Sequence, residues 1–477
     1  MAATTYKAWG HRDIDVRGPA RMRGLGWRGN LLRFFADPFA GLQQLSTYPD
    51  RLVALADRHP AVLCAWGPEL TQRLLMEREH FESFVTPLAA RPGSPLEVLS
   101  QNPFTATGEA HKEHRRVMVP PFHRKRVSQY RDVIVERVEA MLRPWKVGQR
   151  IDAPDELQRF TLGVILAVIF GLDVEEGGRE VQAFRGQLGE LLHALGRRSV
   201  MFAPVDLPGT PYHRMLQLAQ HFIDDARELI AARRSAPGAD VLSELIAGQA
   251  ETQALSDEAL LGQIFVLLTA GHETTYAALS WTLMLLAAHP SVLGPLQEEL
   301  AGVLRGEAPT VEQLGALPLL DRVVKESLRI LPTAPYGGRL ARTDVELGGH
   351  AIPEGSVLLV AHFLTHRMSE VYADPLRFDP ERWTRIQPTP YEYLPFGTGP
   401  RVCVGAALAN MEMKLALACL LQRFSPELVP GTQVDCVLRV TLRPSALPIV
   451  LRPVGSRLAR ASLRGTVLAA VDFGAAR

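Results

Sequence analysis

The chain has 477 residues, with 52 basic against 51 acidic side chains and a formal net charge of +1. A balance that close excludes a dedicated nucleic-acid surface or an acidic tail, and the length suffices to bury a substantial core. The four cysteines, Cys64, Cys403, Cys419 and Cys436, contain no C-x-x-C pair, which argues against a zinc ribbon or dithiol redox centre and suits a reducing, cytoplasmic setting.

In chain order, residues 1–30 are rich in Arg and Gly and are expected to be loosely ordered, with no apolar stretch of signal-peptide type. From about 50 to 380, apolar residues recur at three- and four-residue spacing. The spacing predicts helices over 155–172, 212–234 and 257–289. The run 160–172 is too short to cross a bilayer. The helix 257–289, capped by Ser256 or Asp257 and stopped by Pro290, would extend about 48 Å and cross the middle of the molecule. The Pro-rich stretch 85–104 reads as a long loop of functional type. Residues 344–361 read as a hairpin with a Gly-containing turn, and 439–453 as a second hairpin. A helix is expected over 405–424. The tail after Pro453 shows no clear pattern. No internal repeat is present, and the mixture is mainly α with small β-sheets (α+β).

The stretch "FGTGPRVCVG", residues 396–405, places Cys403 among Gly397, Gly399 and Gly405, with Arg401 two residues earlier. Gly399 and Gly405 permit positive φ and close approach of backbone to a flat ligand. The helix that follows turns its N-terminus towards the sulfur, which favours thiolate. Arg401 can pair with an acid on the ligand. A lone thiolate facing a planar dicarboxylate describes heme with an axial cysteine; a buried structural cysteine is the plainer alternative, and Cys64, Cys419 and Cys436 suit that one. The ten residues match F-x-x-G-x-R-x-C-x-G, and on this motif the chain resembles the cytochrome P-450 family from about residue 50 to 453.

Three further stretches carry the resemblance. "AGHETT", 270–275, lies within the long helix; Gly271 weakens the helix and Thr274 can bond back to a carbonyl one turn earlier. By resemblance Ala270, Gly271 and Thr274 border the oxygen site, with Thr274 bonding dioxygen and Glu273 delivering protons. His272, lacking a partner ligand, reads as structural or solvent-facing. "KESLRILP", 325–332, resembles the family's E-x-x-R motif, so Glu326 and Arg329 are expected to form a buried brace with Arg382 of "FDPERW". "GEAHKEHRRVMVPPF", 108–122, sets His111 and Arg115 on one helix face; with Arg339 and Arg401 they match partners of the heme propionates. Phe396, Gly397 and Gly405 complete the cofactor loop, and Cys403 would be the metal ligand.

The resemblance implies one large domain over 41–453 with a long central helix over heme b, preceded by an N-terminal segment 1–40 and followed by a tail 454–477 of unknown role. It implies a bacterial-type monooxygenase that inserts one atom of O2 into an apolar small molecule of terpenoid, polyketide, fatty acyl or steroid-like type, by hydroxylation or epoxidation. The chain ends soon after the heme region, so electrons are expected from a separate ferredoxin or flavodoxin with an NAD(P)H-dependent reductase. The protein is expected to be a monomer with no membrane anchor. The pocket would be drawn from 85–107, about 190–212, 265–270, 333–337 and 440–447, with Tyr336 near it. A heme-thiolate peroxygenase or isomerase, or a heme-based ligand sensor, is the alternative; the intact Glu273–Thr274 pair argues against each.

Overall fold

In the computed structural model, residues 14–19, 26–57, 61–84, 91–172, 179–195, 197, 199–200, 204–253, 255–458 and 462–474 are described. Parts of the N-terminal segment (1–13 and 20–25), of the Pro-rich loop (85–90), of the pocket region (196, 198 and 201–203) and of the tail (459–461 and 475–477) lie outside them.

The apolar pattern of 257–289 forms one 32-residue helix, Asp257–Ala288. The Ser256 side chain accepts the Ala259 amide at 3.1 Å, and Asp257 and Glu258 in the first turn complement the helix dipole. Pro290 does more than stop it: it opens the next helix, Pro290–Leu304, at a bend of 109°. Residues 259–268 and 275–287 are buried, whereas 269–271, 273 and 274 keep partial exposure. A helix hidden on all faces gains its stability from packing, at about 1.5–3 kcal/mol for each large apolar side chain such as Trp281 or Leu285. It packs on helices Ala153–Phe170, Pro318–Ile330 and Ala406–Leu421. It lies close against the first of these at Gly271, where a Cβ would meet Ile165 Cδ1 at 2.7 Å. The helix runs through this point without a break. The expected helix 212–234 spans Pro211–Ser235.

The sheets depart most from expectation. Leu52–Ala56, Val62–Ala65, Val357–Val360, Gly337–Ala341 and Phe81–Phe84 form, in that spatial order, a five-stranded sheet beside the helical body. Val62–Ala65 and Val357–Val360 pair in parallel and the others antiparallel. The hairpin expected within 344–361 exists, but only as Val345–Leu347 against His350–Ile352 around Gly348 and Gly349, both at positive φ. The hairpin expected over 439–453 does not form. Leu442–Pro444 pairs back on Cys436–Leu438, and Pro448–Arg452 is the central strand between Arg150–Asp152 and Ser425–Leu428. The connection is steered apart: Ser445 exchanges hydrogen bonds with Asp435, while the Leu447 amide donates to Asp152 Oδ1 at 2.7 Å.

The E-x-x-R motif folds as expected from the resemblance. Glu326 and Arg329 have no exposed side-chain surface and Arg382 is 4% exposed. Arg329 donates through Nε to Glu326 Oε2 at 2.9 Å and through Nη2 to Oε1 at 2.8 Å; Arg382 Nε donates to Oε1 at 2.9 Å. The Trp383 indole and the Asp379 amide complete the carboxylate's shell. Arg329 Nη1 also reaches the His366 and Pro375 carbonyls. His366 carries the brace to the cysteine loop: its Nε2 accepts the Leu394 amide at 2.8 Å, so Nδ1 holds the proton and donates to the Arg329 carbonyl at 3.1 Å.

Removing one partner from a buried ion pair strands the other charge, at a cost of about 3–5 kcal/mol. Glu326→Ala and Arg329→Ala are therefore expected to lower the unfolding midpoint sharply and to yield protein depleted of cofactor, as read by denaturant melts and the cofactor-to-protein absorbance ratio.

Burial also sets an acid limit. It lowers His362 from 6.5 to about 4 and also holds His366 well below its ordinary range. Below about 6.5 the unfolded chain takes up protons that the fold refuses, so stability present at neutral pH is lost as pH falls towards 4. The thermal midpoint should fall over that window, and less steeply in His362→Gln, which cannot titrate.

Candidate active site

Three glycine-rich turns of loop bring Cys403 to the front of helix Ala406–Leu421. The Cys403 amide donates to the Phe396 carbonyl at 2.9 Å and closes the loop. Gly397 and Gly399 take φ of +65° and +71°, a conformation that strains any residue with a Cβ. Gly405 does not: at φ −80° it is the N-cap of the helix. A Cβ there would sit 3.9 Å from Sγ, an ordinary contact, so Gly405 places the helix start directly beside the sulfur. Of the four cysteines, Cys403 alone is exposed. Burial pushes the thiol up, whereas the Gly405 amide, the Arg115 charge and the Ala406 amide favour thiolate. The remaining thiols are buried and pushed well up by burial alone or chiefly so.

Around the loop stands a set of cations that, among the described residues, form no salt bridge. Arg115, on helix Gly108–Met118, donates from Nη1 to the Val402 carbonyl at 2.7 Å and is thereby tied to the cysteine loop. Arg401 donates to the Pro103 and Ala106 carbonyls at 2.8 and 2.6 Å. Arg339, on strand Gly337–Ala341, donates to the Leu74 and Gly338 carbonyls at 3.1 and 2.8 Å. All three are half-buried, and among the described residues none is paired with a carboxylate. Burial, with the Arg401 charge beside it, brings Arg339 down to about 10. Burial and the charges of Arg401, Arg115 and Arg78 bring His111 down to about 4. Half-buried guanidiniums bonded only to neutral carbonyls and repelling one another define a site that an anion completes.

On the long helix, Thr274 Oγ1 donates to the Ala270 carbonyl at 2.7 Å. Ala270, Gly271, Glu273 and Thr274 all fall in the partly exposed stretch of an otherwise buried helix. Glu273 has no hydrogen-bond partner among the described residues; burial raises its pKa, and the charges of Arg443 and then Arg439 pull it back. His272 faces the core, where Nδ1 donates to the Leu268 carbonyl at 2.9 Å. Sequence reasoning placed 440–447, and with it Arg443, at the pocket, but it did not anticipate Arg78 and Arg439 as neighbours of the site, or His366 as the link behind it. Their positions follow from pairings distant in sequence, and no local motif marks them.

The profile of the cytochrome P-450 family matches residues 19–449. Cyclooctat-9-en-7-ol 5-monooxygenase of Streptomyces melanosporofaciens is 30% identical over 440 residues, covering 89% of this chain and 93% of its own. Pentalenene oxygenase of Streptomyces avermitilis is 32% identical over 359 residues, covering 73% and 77%. Among solved structures, the retinoic acid-bound cyanobacterial CYP120A1 superposes with a TM-score of 0.79 at 26% identity, covering 92% of this chain and all of that one. The chain belongs to the cytochrome P-450 family, whose members carry a heme iron. It is a monooxygenase of that family.

Cys403→Ser should abolish the red-shifted Soret band of the reduced carbon monoxide complex, and Cys436→Ser should keep it. Arg339→Ala should release heme to an apo-globin acceptor about tenfold faster or more, the effect of losing one charge-assisted bond of roughly 1.5–3 kcal/mol. Release at the unaltered rate would mean that Arg339 holds no propionate.

Proposed function

We propose that the chain holds heme b with Cys403 as axial ligand and hydroxylates or epoxidises an apolar, terpenoid-like molecule with O2. The carrying observation is the meeting of the sole exposed thiol with three half-buried arginines that lack a carboxylate. A porphyrin with two propionates answers both needs: Arg115, Arg339 and Arg401 would hold the carboxylates, and His111, kept neutral by its surroundings, would add a hydrogen bond. When bound, thiolate-ligated heme supplies O2 activation, the sulfur donating electron density that favours O–O cleavage.

The chain's own part is proton management. Thr274 spends its hydroxyl hydrogen on the Ala270 carbonyl, which leaves its lone pairs free to hold a water. Glu273, one residue earlier and half-buried, keeps its proton to higher pH than a free glutamate, yet the Arg443 and Arg439 charges keep ionisation within reach. A carboxyl poised this way can load the water from solvent and reload. The helix on either side of this stretch is buried.

The relatives' names, cyclooctat-9-en-7-ol 5-monooxygenase and pentalenene oxygenase, support the terpenoid class. Electrons would come from a separate ferredoxin or flavodoxin with its NAD(P)H-dependent reductase. The reading is of a cytoplasmic monomer. Among the described residues no single helix is long and apolar enough to cross a membrane.

Turnover with a surrogate reductase system tests the reading. Thr274→Ala should retain the heme spectrum but release hydrogen peroxide, with less product per NAD(P)H. Glu273→Gln should slow product formation by about 10²–10⁴-fold, the range for one positioned proton donor, with a larger solvent isotope effect. Full coupling and rate in Thr274→Ala would assign proton delivery elsewhere.

A further inference from the structure

Residues 462–474 lie beyond the span matched by the family profile, yet they are built into the fold. Two sets of contacts leave this segment in different directions. The first is made by 462–467. The Val434 amide donates to the Arg464 carbonyl and the Arg464 amide to the Thr432 carbonyl, both at 2.9 Å. The Thr466 amide donates to Asp435 Oδ1 at 2.9 Å, and the Thr466 hydroxyl accepts the Cys436 amide at 2.8 Å. Gly465, at φ +98°, passes so near Val434 that a Cβ would lie 2.4 Å from its carbonyl oxygen. These bonds fix 432–436, the entry to the strand pair Cys436–Leu438 and Leu442–Pro444. That pair is held against the site from its other side: Leu442 accepts the Trp281 indole N–H at 3.0 Å and donates its amide to the Thr333 carbonyl at 2.9 Å. It carries Arg439 and Arg443, the two cations that act on Glu273.

The second set is made by 467–473. Val467, Ala470 and Val471 are buried. The Ala470 carbonyl accepts from Arg367 at 3.2 Å, and the Asp472 amide donates to the Leu376 carbonyl at 2.8 Å, in a parallel bridge to Arg377. The Arg377 carbonyl is one of those that receive Arg329 and Arg382. Phe473 stacks on His289 at 5.8 Å, and that ring also meets Phe378 at 5.1 Å.

We propose that residues 462–474 are a two-armed latch, the first arm positioning the strand pair that packs on the long helix at Trp281 and the second positioning the Glu326 brace behind the cysteine loop. The working unit of this chain thus extends past the family core to residue 474. The latch stands on geometry alone, and only its consequence for turnover rests on the monooxygenase reading.

The test uses the full, heme-loaded chain with Gly465→Ala for the first arm and Phe473→Ala for the second. Three quantities are read: amide hydrogen exchange of 432–444 and of 372–383, heme transfer to an apo-globin, and spectral titration with 4-phenylimidazole. Gly465→Ala should speed exchange of 432–444 about tenfold, as expected of one strained site, and weaken azole binding while heme transfer stays unaltered. Phe473→Ala should speed exchange of 372–383 and heme transfer, leaving azole binding unaltered. Should Gly465→Ala not fold, Thr466→Val removes one acceptor of the same arm and should shift the same readouts less. Both segments loosening together in either variant would reduce the tail to general stabilisation, and no response in either segment would make it a passenger; each result overturns the latch. Were the heme reading itself wrong, the azole and transfer signals would be missing while the exchange pattern still decided the proposal.

Discussion

One buried carboxylate organises the cysteine side of the molecule. Glu326 accepts five hydrogen bonds: two from Arg329 and one each from Arg382, Trp383 and the Asp379 amide. Two guanidiniums against one carboxylate leave an excess positive charge in the core. It is spread over the carbonyls of His366, Ala373, Asp374, Pro375 and Arg377, with the Tyr372 ring 5.0 Å from the Arg329 guanidinium. Such an arrangement tolerates little displacement, because any carbonyl that moves away leaves part of a buried charge unsolvated. The irregular stretch 366–383 is therefore as rigidly determined as a helix, although it has few backbone ladders of its own. Through His366 and the Leu394 amide that rigidity reaches the loop that presents Cys403.

The cations on the other side of the loop differ in kind. Arg329 and Arg382 have their carboxylate within the protein; among the described residues Arg115, Arg339 and Arg401 bond only to carbonyls. The first group is complete when the chain folds, and the second would be completed by an anion. This difference separates scaffold from binding site without reference to any relative. It also accounts for the opposite burial of two sets of arginines that the sequence presents alike.

Legibility in the sequence followed distance along the chain. The long helix was read to within a residue or two, since its cap, periodicity and stop are local. The cysteine loop and the E-x-x-R pair were legible because their partners lie at fixed short spacing. The five-stranded sheet was largely missed. Leu52–Ala56 is buried throughout and shows no alternation, and its sheet is completed by strands some 300 residues later. The misassigned hairpin at 439–453 has the same origin: two neighbouring strands share a pattern but pair with different partners. The tail looked featureless because its apolar residues follow no helix or strand period.

The exposure of one thiol among four has an analytical consequence. A reagent that alkylates accessible cysteines should find one site in heme-free protein, at Cys403, and, if Cys403 is the iron ligand as proposed, none in loaded protein, because Cys64, Cys419 and Cys436 are enclosed by the core. Thiol titration under native conditions thus becomes a stoichiometric count of empty cofactor sites, independent of any extinction coefficient for the heme.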